Sequence, residues 1–593
     1  MSKKLVRGGE YLITETPCAD VFTPEDFSDE QRQMADTADQ FITTEIMPQV
    51  EEIDKQDFSR VVAGLRRAGE LGFLMMDGPE EYGGLELDKA TGMVVSEKIA
   101  RSGAFSVAVI AHTGIGTLPL VYYGTDEQKK KYLGKLMSGE WIASYCLTEP
   151  GSGSDALGAQ TSAVLSPDGK HYILNGTKQF ITNGGFADLY TIFAKIDKQH
   201  FTAFLVERTF PGLVVGNEEK KLGIKGSSTV QIILDNCQVP VENLLGEAGK
   251  GHKIAFNVLN VGRFKLGACV TGAAKEALLE GVKYANIRKQ FNTPIGRFGA
   301  IQEKIANLTA GIYASESLIY RLAGQLDEKL ATIAKGTANY YEEYQGGIEE
   351  YAAECAIAKV FCSDILAEVV DEVVQIHGGY GFISEYAAER FYRDERINRI
   401  FEGTNEINRM LIPGMILRKA MKGELPLQKK AMEAFELLMT PGFEELDDSV
   451  LFAAEKALIK NLKTLFLILA GAGVQKFKQE LANEQEILIA AADIAIQIYA
   501  LESTVLRAEK HFAEATPKRQ ALLRAAVKVF AFAANETATS AARRGAFYAE
   551  EGDTLTMLLS GIRRFGKYDA SGLLAAKRLL AQTACEEERY IFA

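Results

Sequence analysis

The most constraining feature of this chain is a change of texture at Trp141. From there to about Pro240, apolar and β-branched residues alternate through WIASYCLTEP, SAVLSPDGKHYILNGTKQFITNGGFADLYTIFAKI, FTAFLVE and TVQIILDNCQVP, with Pro167-Asp168-Gly169 as a turn. A period of two broken by turn residues marks strands, and the pattern predicts an antiparallel sheet. Helical periodicity holds on both sides of it. An order of helix, sheet, helix does not match a doubly wound nucleotide fold, in which strands and helices alternate. At 593 residues the chain exceeds what one core serves. Its texture divides it into a helical amino-terminal domain 1–140, a β domain 141–245, a helical bundle 246–425 and an added helical domain 426–593, so the fold class is mainly α with an inserted β domain.

Ser28 caps a first helix that runs to a stop at Pro48, and helices are predicted over 58–71, 88–101 and 125–137. FSVAVIAHTGIG, from Phe105 to Gly116, is uncharged and reads as a buried helix. Long helices follow over 256–286, 302–330 and 349–374, the last with Cys355 and Cys362 a heptad apart on one buried face. RKQFNTPIGRFGAIQEKIA from Arg288 reads as an amphipathic helix with a polar lead. Past Pro426 the pattern stays helical, and in Gly561 to Gln582 basic and apolar residues interleave as on an ordinary solvated helix face.

The net charge of −13 disfavours nucleic-acid binding, which needs clustered cations. Seven scattered cysteines without a CxxC fit inert thiols in a reducing compartment. Six histidines without HExxH or a Cys/His cluster give no metal site. No apolar h-region follows the amino-terminal lysines and no run is expected to reach membrane-spanning length free of charge, so the expected location is cytoplasmic.

Two stretches carry the chemistry. TEPGSGSDALG, Thr148 to Gly158, is neither GxGxxG nor a phosphate loop, since a strand follows it and no Gly-Lys-Ser/Thr closes it. YRDERINRIFEGTNEINR, Tyr392 to Arg409, sets Glu402 between the apolar pair Ile400-Phe401 and a helix start. Partial burial raises a carboxyl pKa. Gly403 allows close approach, Thr404 can cap the helix, and Glu406 complements its dipole. This is the positioning a general base needs.

QIHGGYGF at Gln375 to Phe382, the Glu402 stretch, YCLTEPGSGSD with FITNGG, and RKQFNTPIGRFGAIQEKIA occur in the order typical of the acyl-CoA dehydrogenase family, which this chain resembles closely to about residue 420. The extra helical tail resembles that of the very-long-chain members. The resemblance implies an FAD enzyme that converts a saturated acyl-CoA to the trans-2-enoyl-CoA. Glu402 would take the pro-R α-proton as a β-hydride leaves for flavin N5, and the Glu402 N–H with a flavin hydroxyl would polarise the thioester carbonyl.

Carried over by position, Tyr145, Leu147, Thr148, Gly153 and Ser154 face flavin and thioester. Phe180, Ile181 and Thr182 border the ring, with Phe180 where the family usually has Trp. Thr404, Asn405 and Glu406 complete that side of the cofactor site. Ser154, Asn260, Arg263 and Gly403 would contact the acyl-CoA. Arg288, Gln290 and Phe291, with Gln375, Ile376, His377, Gly378 and Gly379, would reach the FAD of a neighbouring subunit, implying at least a homodimer. Some relatives place the catalytic glutamate at the position that is Gly262 here, which leaves Glu402 as the candidate. Val107 and Ala111 stand where medium-chain members have a polar pocket floor, so a deep pocket, a long-chain substrate and fatty acid β-oxidation are expected. Electron-transfer flavoprotein is the expected acceptor, and the tail is expected to support the dimer or make peripheral membrane contact. The alternatives are an acyl-CoA oxidase on the same fold and a non-catalytic nucleic-acid-binding relative.

Overall fold

The structure, a computed structural model, describes residues 5–337, 339–440, 446–447 and 449–592. Its sheet comprises β1 (Ala143–Cys146), β2 (Ser162–Leu165), β3 (His171–Thr182), β4 (Leu189–Ile196), β5 (His200–Glu207), β6 (Leu213–Glu218), β7 (Thr229–Pro240) and β8 (Leu244–Leu245). The main path is β6-β7-β3-β2-β4-β5-β8, with β1 paired to β4. The sheet is mixed rather than antiparallel. β1 and β2 both run parallel to β4, Ala143 to Cys146 opposite Leu189 to Ile192 and Ser162-Ala163 opposite Lys195-Ile196. Two strands laid end to end against one neighbour force the residues between them out of the sheet, which is how the 148–158 loop comes to project. The stretches that alternate in the sequence miss β6 and the two-residue β8.

A bulge in β3 bears on the site. Lys178 pairs with Ile232 and Ile181 with Val230, so Gln179 and Phe180 together oppose Gln231. The extra residue turns Phe180 to φ 58°, where non-glycine residues are strained, and leaves the residue 62% exposed.

The Ser28 cap is present, with Ser28 and Gln31 in a reciprocal capping box on helix Asp29–Phe41. Pro48 does not end the helical run. A wide turn Ile42–Ile46 and a 3-10 turn Met47–Gln49 lead into helix Val50–Asp54, with Pro48 at a turn start where its missing N–H costs nothing. FSVAVIAHTGIG forms helix Ala104–Ala111 and the wide turn His112–Gly116. His112 joins this layer to the sheet, accepting the Ala143 N–H at Nδ1 and donating from Nε2 to the Leu136 carbonyl, both at 2.9 Å. Burial pulls its pKa down to about 4, which keeps it neutral.

Helices Gly251–Ile287, Gly299–Leu330, Ala352–His377 and Asn405–Met421 form the bundle, with Cys355 and Cys362 both buried. Arg288 does not lead a helix. A hairpin, Lys289–Gln290 with Thr293–Pro294, turns on left-handed Phe291 and Asn292 before helix Gly299–Leu330 begins. Contrary to expectation, Ala104–Tyr123 is free of charge and long and apolar enough to cross a membrane; among the described residues Ala453–Asn483 and Gln485–Lys510, which carry charges, also reach that length and hydropathy, but most of each of the three lies inside the protein.

The tail, chiefly helices Ala453–Phe477, Gln485–Lys510, Pro517–Ala549, Gly552–Phe565 and Leu573–Glu587, shares one apolar core with the bundle. The amino-terminal segment crosses onto it, Tyr11 packing on Tyr499 at 4.9 Å. Beneath that segment Arg507 donates to Glu316 at 2.6 Å and to Glu25 at 2.9 Å, while Lys275 pairs with the other side of Glu316. Burial pushes the Glu316 carboxyl up, but Arg507 and Lys275 together pull it down to about 2. A depressed folded pKa gives stability that is present above about 4.5 and lost as pH falls toward 2. Arg507→Met should therefore destabilise the protein by about 3–5 kcal/mol, because it strips one cation from a buried carboxylate. Urea denaturation near neutral pH checks it, and a loss under 1 kcal/mol would show that Lys275 alone neutralises Glu316.

Candidate active site

Glu402 ends a tight approach to helix Asn405–Met421. Glu402 and Gly403 are both left-handed, at φ 57° and 80°, and Thr404 then caps the helix, its hydroxyl accepting the Ile407 N–H at 3.2 Å. Asn408 fixes this corner from inside, its amide reaching the carbonyls of Glu402, Gly403 and Thr404 at 3.3, 2.8 and 3.1 Å. Strain of order 1–2 kcal/mol at Glu402 is thus held by several hydrogen bonds.

The side chain points across to helix Gly251–Ile287. A Cβ built at Gly262 would stand 2.7 Å from Glu402 Oε2, so the glycine leaves the room that the carboxylate fills. Oε2 is buried without a hydrogen-bond partner. The part of Glu402 that remains accessible faces a cavity walled by protein. Burial pushes its carboxyl up to about 7, against smaller downward pulls from Arg263 and Lys359. Burial likewise pulls Lys359 down to about 8. Arg263 Nε lies 3.4 Å from the Glu402 carbonyl and Nη1 donates to Asn260 Oδ1 at 2.9 Å, so this cation orients the backbone and reaches the carboxylate only through space.

The cavity, about 980 Å³, is lined by Tyr145, Leu147, Thr148, Gly153, Ser154, Phe180, Ile181, Thr182, Asn260, Arg263, Glu402 and Gly403 among the residues singled out from the sequence. Val107, Ile110, Ala111 and Ile115 line it too. The 148–158 loop is clamped by Glu149, whose carboxylate accepts the N–H groups of Gln160 and Thr161 at 2.6 and 3.0 Å and pairs with buried Lys178 at 2.7 Å. Asn183, left-handed at φ 61°, donates to the Ala108 carbonyl at 2.9 Å and joins the FITNGG turn to the pocket helix. Neither Glu149, Lys178 nor Asn183 was singled out. The NGG turn could have flagged Asn183, whereas the Glu149 clamp joins residues distant in sequence.

Thr404, Asn405 and Glu406 lie behind Glu402 rather than on the cavity wall. Asn405 is buried and spends its amide internally, accepting from Lys359 at 2.5 Å and donating to Ser363 and Asp364 at 3.0 and 2.8 Å. It frames the loop with its amide spent inside the chain. Arg288, Gln290, Phe291 and Gln375 to Gly379 gather elsewhere, where the Arg288 guanidinium sits 5.4 Å from the Tyr380 ring and His377 stacks on Tyr284 at 4.1 Å. At 1.5 Å per residue this cluster is roughly 40 Å along helix Gly251–Ile287 from Gly262. Phe291, 91% exposed, has almost no cover within its own chain.

The raised pKa of Glu402 has a consequence for stability. The proton-bound form suits the folded state, so this contribution is complete below about 4.5 and lost as pH rises through about 7. Glu402→Gln, fixed in the neutral form, should match its parent near pH 4.5 and exceed it at about pH 8 by on the order of 1–3 kcal/mol. Thermal denaturation at the two pH values decides it, and a difference independent of pH would contradict the burial assigned to the carboxylate.

Four domain models match the chain in order: acyl-CoA dehydrogenase N-terminal domain over 28–140, middle domain over 144–237, and two C-terminal domain models over 249–416 and 461–564. A Bacillus subtilis protein named "Probable acyl-CoA dehydrogenase" is 47% identical over the full length of both chains. The rat mitochondrial very long-chain specific acyl-CoA dehydrogenase is 37% identical, covering 76% of this chain and 70% of its own. Among solved structures, an acyl-CoA dehydrogenase from Bacillus anthracis complexed with FAD superposes with a TM-score of 0.96 at 48% identity, over 99% of this chain and all of that one. Butyryl-CoA dehydrogenase from Megasphaera elsdenii covers 66% of this chain and 99% of its own at 35% identity and a TM-score of 0.60, which leaves the tail without a counterpart there. With all three core domains in order and the tail matched as well, the chain belongs to the acyl-CoA dehydrogenase family.

Proposed function

We propose that this enzyme is an FAD-dependent dehydrogenase of long-chain saturated acyl-CoA that works as a homodimer and passes its electrons to an electron-transfer flavoprotein. The observation that carries the reading is Glu402: an unpartnered carboxylate with its pKa near 7, on a strained corner facing a large cavity. A base tuned near the working pH removes a weakly acidic proton most effectively. Glu402 takes the α-proton of the thioester. The Glu402 N–H makes no backbone hydrogen bond among the described residues and is free to donate to the thioester carbonyl, where enolate charge develops.

The cavity wall suits a flavin. Phe180 offers an aromatic face from the bulge, and at Gly153 a Cβ would meet nothing within 4 Å, so the loop stands open. Tyr145, Leu147, Thr148, Ser154, Ile181 and Thr182 would hold the ring, and bound FAD supplies the hydride acceptor. Arg288, Gln290, Phe291 and Gln375 to Gly379 lie too far off to serve the same cavity and would hold the distal half of the cofactor for a partner, which is what calls for the dimer. The uncharged wall from Val107 to Ile115 and the similarity to very long-chain enzymes support a long acyl group. The tail would act in assembly or at a membrane surface rather than in chemistry.

Glu402→Gln should lower the rate of flavin reduction by saturated acyl-CoA by about 10²–10⁴-fold while retaining FAD. In the parent the rate should rise with pH through about 7, since the base acts unprotonated. Reduction of the variant's flavin at the parental rate would place the base elsewhere. Arg288→Ala should lose FAD and dimer together, and a yellow dimeric variant would sink the shared cofactor site. Faster reoxidation of the reduced enzyme by oxygen than by electron-transfer flavoprotein would favour the oxidase.

A further inference from the structure

The cavity continues past Glu402 along helix Gly251–Ile287, and its far end is polar although the stretch Phe105 to Gly116 is uncharged. Val270, Ala273, Leu366 and Val370 keep the approach apolar. Beyond them the lining passes to Gly103, Arg101, Glu276, Arg390 and Asp394, with Glu276 roughly 21 Å along the helix from Gly262 at 1.5 Å per residue. A Cβ at Gly103 would stand 3.3 Å from Asp394 Oδ2, which joins the start of the pocket helix to this charged group.

Of the charges there, Arg101 and Glu276 are paired, while Asp394 and Arg390 stand without an ion-pair partner among the described residues. Arg101 pairs with Glu276 at 2.8 Å and with Asp39 at 2.5 Å. Asp394 accepts the Ile224 N–H. Glu389 is taken by Arg393 at 2.6 Å, and Arg390 acts on Glu389, Glu280 and Asp394 through space without standing within ion-pair distance of any of them among the described residues. Arg390 makes no hydrogen bond or ion pair among the described residues, and its guanidinium lies 5.6 Å from the Phe391 ring. A half-buried guanidinium on a cavity wall with its donors unspent is a receptor for a planar anion, because its fork matches a carboxylate bidentately. Closing the cavity on hydrocarbon alone would gain nothing from such a group.

Resting on the acyl-CoA dehydrogenase reading, we propose that the far end of the acyl tunnel recognises a terminal carboxylate, so that the enzyme accepts long-chain acyl-CoA thioesters of dicarboxylic acids, with Arg390 as the specificity residue. The thioester lies at Glu402 and the free carboxylate at Arg390, and the reaction at Cα and Cβ is unchanged.

The test compares hexadecanoyl-CoA with its ω-carboxy counterpart of equal carbon number, and measures dissociation constants on the slow Glu402→Gln enzyme. The parent should use both with kcat/KM values within about tenfold, since the arginine offsets the desolvation of the carboxylate. Arg390→Leu should lower the ratio of ω-carboxy to unsubstituted kcat/KM by about 10- to 100-fold, the loss expected for a hydrogen bond to a charged group. Arg390→Lys should restore part of it, and binding should follow the same order. An ω-carboxy substrate more than a hundredfold poorer in the parent, or an unchanged ratio in Arg390→Leu, would overturn the assignment. If neither thioester reduces the flavin of the parent, the dehydrogenase reading itself fails, and the binding measurement still decides whether Arg390 meets the carboxylate.

Discussion

A carboxylate held away from water with no partner of its own is the constraint on which the rest of this structure depends. Glu402 has no hydrogen bond at Oε2, a backbone in the left-handed region and a neighbouring helix that gives up a side chain at Gly262 to make room. Each of these costs stability and none is explained by packing. They are tolerated because Asn408 pins the corner through three carbonyls, Thr404 caps the helix behind it, and Asn405 ties that helix to Lys359, Ser363 and Asp364. The polar residues around Glu402 fix where the carboxylate stands, while Oε2 is left without a hydrogen bond and burial outweighs the pull of Arg263 and Lys359, which suits a base poised near neutral pH.

The sheet contributes by interruption rather than by continuity. β1 and β2 share one neighbour and expel the loop between them, Glu149 and Lys178 hold that loop, and a bulge turns Phe180 outward two residues later. The tail contributes rigidity from the opposite side. Arg409, one turn beyond Asn405, bridges Asp364 in the bundle and Asp493 in the tail at 2.7 and 2.8 Å, so the helix behind Glu402 is anchored in both layers.

Much of this was legible in the sequence where the determinants are local. The cap at Ser28, the helical texture, the strands and the partly buried position of Glu402 before a capped helix all depend on residues a few places apart. What escaped depends on distant partners. The parallel pairing of β1 and β2 needs β4, the hairpin after Arg288 depends on two left-handed residues within a helix-like composition, and the burial of Asn405 rests on a helix some forty residues earlier. The charges at Arg101, Glu276, Arg390 and Asp394 come from three separate stretches, so no single window shows that the tunnel ends on them.

The central claim is that Glu402 removes the α-proton, and it can be tested apart from hydride transfer. A thioester whose β-carbon is replaced by sulfur cannot form the enoyl product, but its α-protons remain acidic. In deuterium oxide the FAD-loaded enzyme should exchange an α-proton of this analogue for deuterium, followed by NMR, and exchange should fall to background in Glu402→Gln while the analogue still binds. Exchange at the same rate in parent and variant would contradict the account.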